Sequence, residues 1–298
     1  MGNTIALAKS YVPNLDEIYK LSSLSAVLTS DQGLARAGAK ANEIIIPKIS
    51  MDGLGDYSRS NGYAQGDVTL EWETVPFNYD RGRKFVVDVE DDEETINTAF
   101  GRLGAEFMRT KVVPEVDAFT FAQLSAKAGT TVSATLSSGT DVTAAITAAN
   151  STMDDAEVPM EGRILFVSTK TYYAIKNKLT RFIMNDEENI QRNIEMLDSM
   201  RVIPVPSGRF NTAITLNDGV TSGQTAGGFA VGGYPINFML VHPSAIIKVM
   251  KHRVPRIFSP DVVQEADAWK FNIRLYGDCF VKDNKVGGIY LHRGATAN

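Results

Sequence analysis

The chain has 298 residues, enough for one large domain or two ordinary ones, and its 44% apolar and 22% charged residues are typical of soluble globular proteins. A formal net charge of −5 argues against a chain that binds nucleic acid over its whole surface. No apolar run approaches the roughly 18 residues of a membrane span, and the lone Cys279 excludes an internal disulfide framework.

The N-terminal part of the sequence predicts an irregular arm followed by an exposed two-stranded arm. Apolar residues between Leu15 and Leu24 favour a short amphipathic helix, and Glu43–Ile49 predicts a strand whose Pro47 favours a sheet edge. Residues 51–67 are rich in Gly, Ser, Asp and Tyr and predict an exposed loop. The alternation of 68–73 predicts a half-buried strand that pairs with a second strand at Lys84–Asp88. Such an arm is marginal alone and must pack on something else.

Residues 93–128 predict one long helix. Ile96, Phe100, Leu103 and Phe107 recur at steps of four and three, which puts them on one face. Pro114 predicts a kink or a short break, and Gly129 is a plausible stop. A straight helix of this length would span roughly 54 Å, more than a compact domain of this size needs.

The following residues have an α/β pattern. Thr140 or Asp141 can cap a helix over 142–149, Ile164–Val167 predicts a buried strand, and Ser168 opens another helix. Residues 181–200 predict a helix, and residues 217–233 a loop. Strands are predicted at 201–206, 236–241, 245–250, 269–275 and 286–291. In this pattern Trp72 and Trp269 occupy inward strand positions, which predicts core packing for both.

Motifs for catalysis or metal binding are not evident. His242, His252 and His292 lack the spacing of metal ligands and are interpreted as structural or surface residues. The acidic run from Asp88 to Glu94 lacks the pattern of a calcium loop and is better explained by helix capping. We therefore predict no catalytic, cofactor-binding or metal residue, no cofactor, and a protein that is not an enzyme.

Four stretches in this order carry a resemblance: GLGDYSRSNGYAQGDV at 53–68, DRGRKFVVDVEDDEE at 80–94, VVPEVDAF at 112–119 and the segment from Phe258 to His292. Together they resemble the tailed-bacteriophage major capsid proteins of the Hong Kong ninety-seven type. The resemblance implies an α+β capsid fold with an N-terminal arm, an extended β-hairpin loop, a peripheral domain with a long spine helix, and an axial domain. It assigns 1–50 to the N-terminal arm, 51–84 to the extended loop, 85–130 to the peripheral domain with the spine helix, 131–245 to the axial domain, and 246–298 to the return to the peripheral domain.

The resemblance also implies a function. Copies of such a chain form pentamers and hexamers, close an icosahedral head, and enclose double-stranded DNA without sequence-specific contacts. A portal protein and a separate scaffolding or decoration protein are implied partners, no membrane is involved, and the expected location is the virion, after assembly in the host bacterial cytoplasm. Two alternatives stay open: the shell of an encapsulin-type nanocompartment, and an α/β enzyme with an unrecognised site.

The candidate interface residues lie in two segments of opposite charge. From Asp56 to Asp80 there is one base against five acids, a net of −4, and from Ala245 to Arg256 there are four bases and no acid, a net of +4. We expect the acidic arm of one subunit to lie near the basic segment of its neighbour. The candidate residues are Tyr57, Arg59, Tyr63, Glu71, Glu73, Lys248, Lys251 and Arg253.

Overall fold

The computed structural model describes residues 23–28, 36–37, 43–60, 62–89, 104–181, 194–263 and 267–298. Four sequence predictions fall wholly or partly outside these residues. They concern the short helix before Leu24, the acidic run after Val89, the beginning of the long helix at 93–103, and the helix over 182–193.

The strands in the described ranges form three sheets. The first contains β1 (Arg36–Ala37), β2 (Glu43–Met51) and β3 (Val68–Pro76) in that order, all antiparallel. The strand that follows along the chain, β4 (Tyr79–Asp88), lies in another sheet. The remaining strands are β5 (Thr130–Ser133), β6 (Ile164–Ser168), β7 (Met196–Leu197), β8 (Met200–Val205), β9 (Asn211–Leu216), β10 (Phe229–Val241), β11 (Ile246–Phe258), β12 (Ala268–Val281) and β13 (Ile289–Arg293).

The predicted pairing within the two-stranded arm is wrong. The strand at 68–73 does not pair with the strand at 84–88: β3 pairs with β2 from Glu43↔Pro76 to Met51↔Val68, whereas β4 pairs with β12. The hairpin therefore runs from Glu43 to Pro76, with residues 52–67 as its tip. The connection at Phe77 and Asn78 turns the chain from one sheet into the next, because Asn78 N–H donates to Asp278 Oδ2 at 2.8 Å.

The long helix is described from residue 104 onwards and runs without a break to Ala126. A π-helical turn at Met108–Val112 precedes α1 (Val113–Ala126), in which Val113 N–H donates to Met108 O. The expected kink at Pro114 is therefore realised as a wide turn just before the proline. Pro114 directly follows this π-helical turn, whose wider hydrogen-bond pattern accommodates the donor that a proline lacks inside a continuous helix.

Helix α1 is buried on opposite sides because it lies between two sheets. Val113, Val116 and Phe119 belong to a core shared with Phe271 and Leu275 of β12. Phe121 and Leu124 belong to a second core, which contains residues of β6, β8, β10 and β13. Gly129 is needed for a close approach rather than for a cap: its N–H donates to Val286 O, and a Cβ there would lie 2.5 Å from that oxygen.

The largest sheet has the order β5–β13–β10–β6–β8–β7, and β9 pairs with β10 outside this path. Helices α2 (Gly139–Asp155) and α3 (Thr169–Arg181) cover one face, with Val142, Ile146 and Ile175 in a core shared with Leu165 and Val167. The buried strand at 164–167 and the helix after Ser168 are confirmed. The cap of α2 is Ser138 rather than Thr140 or Asp141, and Asp141 completes a capping box with it.

Three further predictions need correction. The predicted helix over 181–200 cannot extend to residue 200, because Met196–Leu197 is a short strand. The predicted loop at 217–233 ends earlier, since β10 begins at Phe229. The last strands divide between two sheets: β12 pairs with β11 and β4, whereas β13 pairs with β10 and β5.

Candidate subunit interface

The β2–β3 hairpin is anchored to the subunit by apolar contacts at its base. Ile44 and Ile46 of β2 are buried in a small core with Ile247 of β11 and Phe280 of β12. Phe77, just after β3, contacts the rings of Tyr276 and Phe280 at centroid distances of 5.2 and 5.5 Å. Beyond the base, residues 49–60 and 62–74 are largely exposed. The hairpin therefore projects from the subunit.

Strand register separates the hairpin into two faces. Residues directly opposite each other share a face, so the pairs Ile44↔Val75 and Ile46↔Glu73 lie on the side that packs against the subunit. The alternate pairs lie on the opposite side, which we call the outer face. It carries apolar side chains exposed by 50–70%: Ile49, Met51, Val68, Leu70 and Trp72.

This exposure corrects the prediction for β3 and Trp72. The alternation of Val68, Leu70 and Trp72 correctly predicted a strand, but among the described residues the apolar side does not face a core, since Trp72 is 50% exposed. Trp269, by contrast, is half-buried and packs with the core that contains Phe271. The residues that the sequence analysis missed as interface candidates are thus the apolar ones of the outer face. The alternation of apolar and polar residues in 68–73 indicated these residues, but their apolar side was predicted to pack in the core of the same chain.

The other face of the hairpin is held against its own chain. Lys48 Nζ forms an ion pair with Asp283 at 3.5 Å, and Asn284 Nδ2 donates to Ile49 O at 3.3 Å. Glu73 lines a cavity of about 200 Å³ together with Lys282 and Lys285. Glu71 and Glu73 are exposed as predicted, but Glu71 lies opposite Lys48 and both share the side that packs on the subunit.

The tip of the hairpin has its own internal contacts. Tyr57 and Tyr63 are 62% and 89% exposed, and their rings meet edge to face at 5.0 Å. Ser58 and Gly62 exchange backbone hydrogen bonds around the exposed Arg59. The structure therefore brings together the three predicted tip residues in one exposed turn.

The predicted basic partner segment is only partly exposed. Lys248 is 6% exposed, and its Nζ donates to Ser25 Oγ at 2.6 Å within the same chain. Burial lowers the pKa of this ammonium. Lys248 therefore binds its own chain, which argues against a role at an interface, although its place there stays a prediction. Arg256 is exposed, whereas the side chains of Lys251 and Arg253 lie outside the described part of the structure.

A cavity of about 500 Å³ lies between β4, the π-helical turn and the segment 217–229. Arg81 donates to Glu115 Oε1 at 2.8 Å, to Asn217 O at 2.6 Å and to Gly228 O at 3.1 Å. Burial disfavours the charge on Arg81, but the hydrogen bond to Glu115 raises its pKa overall. These groups bind one another and hold the segment 217–229 on β4, which is a structural role.

Two of the three histidines have structural contacts, as interpreted from the sequence. His292 is buried against the Phe238 ring at 4.8 Å, and Asn237 Nδ2 lies 3.1 Å from its Nδ1. His242 bonds Ser244 and the carbonyl of Glu161. The side chain of His252 is not described. Within the described ranges, no group of three or more His, Cys, Asp or Glu residues could hold a metal ion, and no helix is long and apolar enough to cross a membrane.

Comparison with known proteins gives no match among protein-family models or curated sequences. Solved structures do match. A chain from Mycobacterium phage Che8 is 17% identical, with 91% of this chain and 90% of that chain covered and a TM-score of 0.66. The mature capsid of bacteriophage PhiM1 gives 11% identity, 87% and 84% coverage and a TM-score of 0.62. A virus-like particle from Pyrococcus furiosus gives 12% identity, 95% and 99% coverage and a TM-score of 0.55.

These likenesses extend over about nine tenths of the chain and define its fold. The protein has the α+β capsid fold of the Hong Kong ninety-seven type. The expectation drawn from the four sequence stretches is therefore confirmed at the level of the fold.

Proposed function

We propose that the protein is the major shell subunit of a tailed-phage capsid. The observation that carries this proposal is the outer face of the β2–β3 hairpin, which exposes Ile49, Leu70 and Trp72 on an element that projects from the subunit. Fully burying one such side chain is worth about 1.5–3 kcal/mol. A contiguous apolar strip on a projecting hairpin is therefore typical of an interface that a neighbour covers.

The fold supports the same conclusion, since the matched structures include a capsid from bacteriophage PhiM1. In our proposal the subunits form pentamers and hexamers, and these close an icosahedral head around double-stranded DNA. A portal protein and a separate scaffolding or decoration protein would complete the particle. The DNA is held by confinement, which suits a chain of net charge −5. The particle would assemble in the host bacterial cytoplasm and persist as the virion.

The assignment of parts remains a proposal within this function. Residues 1–50 form the N-terminal arm, 51–84 the extended loop, 85–130 the peripheral domain with the spine helix, 131–245 the axial domain and 246–298 the return to the peripheral domain. The observed hairpin begins at Glu43, so the loop and the end of the N-terminal arm form one structural element.

The encapsulin alternative is less well supported. The virus-like particle from Pyrococcus furiosus matches with a TM-score of 0.55, lower than the 0.66 and 0.62 of the two phage structures. The contents of purified particles distinguish the two functions. Double-stranded DNA in particles from infected cells supports the phage capsid, whereas a protein cargo without DNA supports the nanocompartment.

Assembly itself is tested by sedimentation and electron microscopy of the full chain. We expect closed particles of megadalton size when the chain is expressed with its scaffolding protein, because the outer face needs a partner to cover it. Monomers or dimers alone, with that protein supplied, would contradict the proposed function. Low hydrolase, transferase or oxidoreductase activity of such particles would not by itself decide whether the protein is a shell subunit.

A further inference from the structure

A buried carboxylate in the middle of α1 binds the segment Ser23–Leu28. Asp117 is fully buried and accepts hydrogen bonds from two backbone amides of the segment, Leu24 N and Ser25 N, each at 3.2 Å. It also accepts from Ser23 Oγ at 2.8 Å and Ser25 Oγ at 2.6 Å. A fifth donor, Arg209 Nη1 at 3.3 Å, comes from the turn between β8 and β9. Asp117 thus joins the segment, the helix and the large sheet.

The opposite side of the segment is held by Lys248 of β11. Its Nζ donates to Ser25 Oγ at 2.6 Å and to Ser25 O at 3.4 Å. Leu28, at the end of the segment, is fully buried in the core that also contains Phe121, Leu124 and Cys279. The segment is therefore seated by two charged side chains and one apolar anchor.

The seat itself is built from elements that other contacts fix. Helix α1 lies between two cores, and β11 pairs with β12 from Ile246 to Phe258. The hydrogen bonds that reach the segment from Asp117 and Lys248 are made by side chains of these elements. The backbone of α1 bonds within the helix and the backbone of β11 bonds to β12, so in the described residues release of the segment breaks only side-chain hydrogen bonds of the seat.

We propose that residues 23–28 form a latch that closes on and leaves this preformed seat, and that Asp117 is the residue that keeps it closed. An ionised carboxylate buried without its donors is costly, and this cost favours the closed state. Opening removes four of the five described donors of Asp117 and uncovers the side of the core that contains Cys279. The latch also links the start of the described chain to Arg209, and hence to the large sheet.

Cys279 provides a native probe of this movement. It is the only cysteine of the chain, it is 5% exposed, and burial raises its pKa to about 12. A thiol reagent therefore reacts with it only after an opening that admits water and reagent. Residue Lys248 lies directly opposite Cys279 in the β11–β12 pairing, so the probe is adjacent to the seat.

The test is the rate of Cys279 modification by a small thiol reagent in the full-length subunit. The variant Asp117→Asn keeps the side-chain volume but removes the charge that holds the donors, and it should raise the rate about tenfold or more. The matched control is Glu115→Gln, two residues earlier on α1, because Glu115 is also buried but binds Arg81 and Tyr79. The control should leave the rate within about twofold of the native chain.

Two further measurements separate latch opening from global unfolding. Modification through the latch should depend only weakly on urea, since a local opening exposes little surface, whereas unfolding depends on it strongly. The amide protons of Leu24 and Ser25 should exchange faster in Asp117→Asn than in Glu115→Gln. If Asp117→Asn does not fold, Ser25→Ala decides the matter, because it removes the hydroxyl that bonds both Asp117 and Lys248 and should raise the rate about threefold or more.

Some outcomes would overturn the proposal. These are an unchanged modification rate in a folded Asp117→Asn or Ser25→Ala variant, or a rate that follows global unfolding in its urea dependence. The result does not depend on shell assembly, since it is measured on the dissociated subunit.

Discussion

Leu70 of β3 lies directly opposite Ile49 of β2, and both side chains are about half exposed on the outer face of the hairpin. Replacing Leu70 by Asp should abolish or strongly reduce particle formation, because it places a charge in the strip that a neighbour would cover. The subunit should keep its stability to within about 0.5 kcal/mol, since the side chain contributes little to its own core.

Sedimentation measures the assembly of this variant, and thermal unfolding of the subunit measures its stability. The control is Thr69→Asp, which adds the same charge one residue earlier, on the other face of β3. Normal particles from Leu70→Asp, or equal loss of particles in both variants, would contradict the role of the outer face.

Deletion of the hairpin tip, Ser58 to Gly66, should leave the subunit folded but weaken assembly. The tip is exposed, and the chain closes beneath it through Asp52 N–H to Asp67 O at 3.1 Å and Asp67 N–H to Asp52 Oδ2 at 2.9 Å. A deletion that unfolds the subunit would mean that the tip supports its own chain.

Covalent links through the segment from Met51 to Gly82 should be absent from mature particles. Residues 51–82 contain no lysine, so a lysine-to-asparagine bond cannot start from this part of the chain. Boiled and reduced particles should give one band near 32.5 kDa on a denaturing gel. A ladder of multimers is the contrary result.

Acid should destabilise the subunit through His292. Burial lowers the pKa of this imidazole below its ordinary value of about 6.5. The unfolded chain therefore binds a proton at a pH where the folded chain does not, and stability is lost as the pH falls below about 6.5. The urea midpoint should fall between pH 7.5 and 5.5, and His292→Phe, which keeps the stacking on Phe238, should reduce that fall. An identical fall in native protein and variant would exclude His292 as its source.

Strand positions were easier to predict than strand partners. The period of two in 269–275 identified β12 because α1 covers one face of that strand. The partner of β3 was assigned wrongly because strands that follow each other along the chain usually pair. Here Phe77 packs on Tyr276 and Phe280, and Asp278 binds Asn78, so the chain changes sheet.

The interface was predicted less well than the fold for a related reason. A sequence pattern indicates that one face of a strand is apolar, but not whether that face meets the same chain or another one. The burial of Lys248 had no local signal, since its partners, Ser25 and the nearby Asp117, are far away in the sequence. Its place in a run of bases favoured exposure instead.

The last prediction concerns the contact between the acidic hairpin and the basic segment of a neighbour. Because Lys248 is buried in its own chain, the test uses Lys251 and Arg253 together with Glu71 and Glu73. Reversing Lys251 and Arg253 to Glu should lower the stability of the shell, and reversing Glu71 and Glu73 to Lys in the same chain should partly restore it. Each exposed pair contributes only about 0–1 kcal/mol, but the contact repeats in every subunit.

Salt distinguishes this electrostatic contact from a change in packing. The loss and its restoration should both diminish between low and high ionic strength, because exposed charges are screened. Glu73 also lies beside Lys282 and Lys285 of its own chain, so Lys285→Glu is the control. If reversing Glu71 and Glu73 rescues Lys285→Glu but not the Lys251 and Arg253 reversal, these acids serve their own subunit. The neighbour then binds the hairpin through its apolar outer face alone.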